Sequence, residues 1–158
     1  MTAEPLVPLG DGWKALARAW ALRRGAAVTA EGRALTVDVR SDQRGGAALT
    51  VDFTRGAGAV VVIVTDGTLV GPARLATTAA AATAWNAREV TPAAVLGYDR
   101  TELPLLSAVS TLPLAAHMTA GGFCATLDAL LERAERLLSE CHDLGQALRD
   151  DDDLTARW

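Results

Sequence analysis

The sequence has one lysine, two cysteines, two histidines and no apolar run longer than a strand. Each scarcity removes a class of function. Lys14 stands alone beside fourteen arginines, and no basic run occurs anywhere. A phosphate backbone is held by a concentrated Lys/Arg surface that releases counterions, so no nucleic-acid partner is expected. The arginine bias and abundant alanine fit a GC-rich genome, which makes alanine-rich stretches weak evidence of function. Cys124 and Cys141 fall on one expected helix, seventeen residues apart. At about 1.5 Å per residue that is roughly 25 Å, far beyond the roughly 7 Å Cα limit of a disulfide. Both are expected to be free, largely buried thiols. The most continuous apolar stretch, Ala59 to Val64, is strand-length, whereas a bilayer needs about 20 apolar residues. The N-terminus lacks the positive start and apolar core of a signal peptide. The expectation is a cytoplasmic protein with no membrane partner.

The residue sets that carry chemistry are missing too. His117 and His142 have no Cys or Glu at metal-ligand spacing. Asp150 to Asp153 lacks the alternation and distal Glu of a calcium loop. Gly45-Gly46 and Gly56-Ala57-Gly58 suit hairpin turns, since no phosphate-binding lysine accompanies them. There is no Gly-x-Ser-x-Gly, and neither cysteine has the context of a nucleophile. No catalytic residue, metal site or cofactor is expected, and the chain does not read as an enzyme.

What is present is a foldable pattern. The 158 residues are 50% apolar with a net charge of −4, enough for one domain with a real core. Leu9 to Gly12 looks like a turn feeding a helix over Gly12–Arg24, on which Trp13, Leu16, Ala17 and Trp20 form one apolar stripe. Gly25 supplies its stop. Val28–Ala30, Leu35–Val39 and Leu49–Phe53 read as strands, the last two alternating cleanly with Asp38 and Asp52 on the wetter face. Val60–Val64 is apolar on both faces, which predicts a central strand covered on both sides, by a helix or by another subunit. Gly71-Pro72 opens a second helix, reaching about Glu89, with small side chains all round from Thr77 to Ala84. Val95–Tyr98 and Leu105–Leu112 suggest a hairpin across Asp99–Glu102. A long helix over Thr119–Leu144 carries an apolar stripe from Phe123 to Cys141, and Gly145 is expected to end it. Residues 1–149 read as one domain and 150–158 as an acidic tail.

The second helix closes on Trp85-Asn86. Trp85 suits a core position against the sheet, with the Asn86 amide serving backbone near the helix end. The pair is also the candidate for partner or ligand binding, as the wall of a groove.

Ala84-Trp-Asn-Ala-Arg-Glu-Val-Thr-Pro92, the order of elements, and Leu112 to Thr119 leading into the last helix together resemble the YbjN family over about Gly12 to Leu144. That family is proposed to act in bacterial sensory transduction regulation and is related in fold to the type III secretion chaperones. The resemblance implies an α+β domain: a twisted antiparallel β-sheet packed with three helices, in the order helix–strands–helix–strands–helix. It also implies a non-enzymatic role in regulation or protein binding, often as a homodimer. The alanine-saturated second helix and the acidic tail depart from the family pattern. Two functions compete: a chaperone-like or regulatory interaction module offering an apolar groove, and a small-ligand sensor with a closed pocket near the second helix.

Overall fold

A computed structural model describes residues 3–41, 43–98 and 102–155, with 144–155 as backbone. The elements run β1 (Val7–Pro8), α1 (Leu9–Arg23), β2 (Ala27–Glu31), β3 (Ala34–Arg40), β4 (Ala48–Arg55), β5 (Ala59–Thr65), α2 (Pro72–Arg88), β6 (Ala93–Gly97), β7 (Leu105–Pro113), β8 (His117–Met118) and α3 (Ala120–Thr155). The fold is α+β, with a six-stranded antiparallel sheet in the order β2-β3-β4-β5-β7-β6 and a small β1-β8 ladder beside it.

Register explains where the core sits. In an antiparallel ladder, directly opposed residues share a face. Val37, Val51, Val64, Ala108 and Ala94 are linked in one such row from β3 to β6, and all are buried. Leu35, Phe53, Val62 and Leu106 lie on the same face and are buried too. All three helices cover that face. Trp13, Leu16, Ala17 and Trp20 bury as one stripe of α1, with Phe53 lying between the two indoles at 6.4 and 6.3 Å. Thr78, Ala81, Ala82 and Trp85 are the buried side of α2, and the small volumes of the first three let α3 approach closely. Phe123, Leu127, Leu131, Ala134, Leu137, Leu138 and Cys141 form the inner side of α3.

The helix ends follow local chemistry. Gly25 adopts φ +63°, its N–H bonding Leu22 O while Ala26 N–H bonds Ala21 O. That pair of bonds satisfies the last carbonyls of α1. Pro72 takes the first position of α2 after an extended Gly71. Thr119 caps α3 by accepting from Gly122 N–H at 3.0 Å, and the Glu4 carboxylate accepts from Gly121 N–H at 2.9 Å.

Four expectations differ from the structure. Leu9 to Gly12 is the first turn of α1, because Pro8 is extended and Leu9 and Gly10 donate their N–H groups to Ala116 and Leu114. Gly145 lies inside α3, which continues to Thr155; one helical glycine costs only about 1 kcal/mol relative to alanine. The tail expected at 150–158 is therefore helical backbone as far as Thr155, and 156–158 lie outside the described residues. β6 and β7 do form a hairpin, but residues 99–101 of its expected turn lie outside the described residues. Finally, β5 is central as expected, but among the described residues the chain's own helices cover only one of its faces, so of the two covers expected for the second face only another subunit is left. Val60, Val62 and Val64 are buried, whereas Val61 and Ile63 face the open side and stay partly exposed.

Candidate functional site

The Trp85-Asn86 pair fastens α2 to β6. Trp85 is 1% exposed, and its Nε1–H donates to the Pro92 carbonyl at 2.8 Å. Arg88 and Arg136 place their guanidinium groups 5.5 and 5.4 Å from the ring centre, within cation–π range. Arg88 in turn pairs with Glu140, and Arg136 with Glu89 at 3.4 Å. Asn86 Nδ2 donates to Ala94 O at 2.9 Å, while Ala94 N–H donates to Asn86 Oδ1 at 2.8 Å. The amide thus reproduces the two bonds a neighbouring strand would make. The intervening turn carries a cis Thr91-Pro92 bond. Contact between Trp85 and a partner would require the arginine cover to move.

The uncovered face of the sheet is the largest feature that sequence periodicity did not reveal. Its strand positions divide into two halves. On β2, β3 and β4 they are mostly Thr, Asp and Glu: Thr29, Glu31, Thr36, Asp38, Thr50, Asp52 and Thr54. On β5, β7 and β6 the face turns aliphatic, with Val61, Ile63, Leu105, Val109 and Val95. Val95 is 42% exposed, and Tyr98, at the end of the hairpin, is 68% exposed. A depression of about 360 Å³ crosses the seam between the halves, with Asp52 and Thr54 on one side and Ile63, Val109, Val95 and Tyr98 on the other. Asp52 accepts from Thr36 Oγ1 at 2.5 Å and Asp38 from Thr50 Oγ1 at 3.4 Å. Neither aspartate has an ion-pair partner among the described residues.

A buried polar cluster closes one end of the fold. Asp66 accepts from Arg44 at 2.8 Å and from Thr68 N–H at 3.0 Å, and His142 Nε2 stands 3.5 Å away. Burial alone would raise the Asp66 pKa, but His142, Arg44 and the Thr68 N–H outweigh it and hold the carboxyl well below the usual range. Ser41 Oγ donates to the buried Glu135 at 2.6 Å. His142 thus stands against a carboxylate while remaining partly exposed, and His117 is exposed. One signal for this cluster was legible: Glu135 sits where the row Leu127, Leu131, Leu138 calls for an apolar residue. Nothing in sequence spacing joins Asp66 to His142.

Both cysteines are buried and free, as expected. Burial, with Glu140 adding to it and Arg88 opposing, pushes the Cys141 thiol up to about 11. Among the described residues, no three His, Cys, Asp or Glu side chains gather to hold a metal ion. No helix among them is long and apolar enough to cross a membrane. A second depression, of about 790 Å³, lies by the start of α1 on the helix-covered side, with Lys14, Arg33, Arg55 and Asp11 around it. Two of its cations are engaged with backbone, Lys14 on Gly32 O and Arg55 on Gly10 O.

No family model matches the chain, and no curated protein matches it in sequence. Among solved structures it is similar to YbjN from E. coli, proposed to be a transcription regulator, with a TM-score of 0.66 at 20% identity. The match covers 88% of this chain and 96% of that one. The chain therefore has the YbjN-like fold over most of its length.

Proposed function

We propose that the protein is a non-enzymatic, regulatory or chaperone-like interaction module whose docking surface is the open face of the sheet. One observation carries this reading. Three helices crowd one face of the sheet, while the opposite face exposes a half-aliphatic surface at the centre of the molecule. Solvated faces of antiparallel sheets usually alternate to polar residues. Contiguous exposed apolar surface marks an interaction site. Likeness to a protein proposed to regulate transcription supports a regulatory role in general terms. With no basic run in the chain and acids on the open face, we place that regulation in protein contacts. The small-ligand alternative has less support: the side of α2 that carries Trp85 is filled by α3 and β6.

We also propose a homodimer, formed through the outward side of α2, where Ala76, Ala80, Thr83 and Ala87 make an exposed stripe of small residues. This arrangement leaves the open sheet face of each copy free.

Comparative pull-down from native lysate tests the docking surface, using wild type and the double variant Ile63→Ser/Val109→Ser. Recovery of a stoichiometric protein partner by wild type, lost in the folded variant, is the expected result. Equal recovery by both proteins, or a co-purifying small molecule retained by both, would overturn it.

A further inference from the structure

Resting on the docking reading above, we infer that the open face takes a peptide segment pairing aliphatic side chains with lysine or arginine, the cation seated on Asp52 and Asp38. Charge complementarity selects this occupant. Among the strand positions of this face, Glu31, Asp38 and Asp52 face a single cation, Arg40. Arg40 lies at the end of β3 and already bonds Gly46 O at 3.3 Å.

Asp52 is the telling residue. It sits inside the sheet, opposite Thr36 on β3 and Ile63 on β4's other neighbour, β5, and it is half-buried. Its acceptor capacity is met by one hydroxyl, although an ionised carboxylate has about four lone-pair sites. Covering it with an apolar partner would strand the charge away from water, at a cost that burial of neighbouring valines does not offset. A partner that covers Ile63 and Val109 must therefore bring a cation to the adjacent Asp52. Asp38 lies one row along the same face, beside Thr50, within reach of a second basic residue two positions away on an extended segment.

A second copy of this chain does not meet that need. Two identical faces related by a two-fold axis either set the acidic halves together or lay Asp52 on the other copy's aliphatic half. Both arrangements leave the carboxylates without cations.

The test uses three synthetic ten-residue peptides: alternating leucine and lysine, alternating leucine and glutamate, and alternating serine and lysine. Binding is measured by isothermal titration to wild type, to Asp38→Asn/Asp52→Asn, and to Glu132→Gln/Asp143→Asn, which removes two charges from the exposed side of α3. We expect the leucine–lysine peptide to bind tightest. Its affinity should fall roughly three- to tenfold in Asp38→Asn/Asp52→Asn, the scale of two partly exposed ion pairs, and much less in the α3 variant. Equal binding of the leucine–glutamate peptide, or equal losses in the two variants, would overturn the inference. If leucine peptides of either charge bind equally and Ile63→Ser/Val109→Ser abolishes both, the docking surface stands and the charge inference fails. If no peptide binds and that variant keeps its lysate partner, both fail.

Discussion

At the scale of single residues, Trp85 and Asn86 show how little sequence separation is needed to brace a fold. Seven residues join the indole N–H to the carbonyl it serves, and eight join the Asn86 amide to Ala94. Trp85→Ala should cost about 3–5 kcal/mol. Asn86→Ala should cost about 1–3 kcal/mol, because it strips a backbone N–H and a carbonyl of their partner. Chemical denaturation measures both. A Trp85→Ala protein of unchanged stability that had lost its partner would move the pair from brace to binding residue. Asp66 governs a pH effect of known sign. Its pKa is lower folded than unfolded, so its contribution is present above the unfolded carboxylate value of about 4 and is lost as pH falls below it. Denaturation midpoints taken from pH 7 to pH 3 should show the advantage of wild type over Asp66→Asn shrinking at the acid end. A constant gap would mean that the ion pair contributes nothing through titration.

At the scale of elements, what the sequence made legible and what it hid divide along physical lines. The stripe Trp13, Leu16, Ala17, Trp20, the Gly25 stop, the Pro72 start and the alternation of Leu35–Val39 all act within a few residues, and each stands as expected. Gly145 failed as a stop because glycine ends a helix only when the backbone leaves it, and here the neighbouring residues continue it. β1 and β8 are two residues each, too short to carry a period, and exist because residues distant in sequence pair there. Periodicity found β5 apolar on both sides but could not say that only one side is covered. Gly12 marks one close approach: a Cβ there would stand 2.2 Å from Val7 Cγ1. The main brace of the covered face is α3. Leu131, 4% exposed on its inner side, should cost about 2–5 kcal/mol on replacement by alanine. A loss under about 1 kcal/mol in chemical denaturation would contradict its place in the core.

At the scale of the whole molecule, the chain's own helices cover one face of the sheet and leave the other open, and the two proposals divide the remaining surface between them. In these proposals α2 joins copies, and the open sheet face receives a partner. Sedimentation equilibrium across a wide concentration range should give twice the single-chain mass of 16.4 kDa; a single-chain mass even at high concentration would rule out the dimer. The one-sided sheet is the central claim, and thiol labelling tests it most directly. Cys124 and Cys141 are buried and give a low background. Ile63→Cys and Val62→Cys place a new thiol at adjacent positions of β5, on the open and the covered face respectively. Ile63→Cys should react readily in the folded protein at all concentrations, and Val62→Cys should react only on unfolding. Protection of Ile63→Cys to the level of Val62→Cys would show that the second face is covered and would contradict the account.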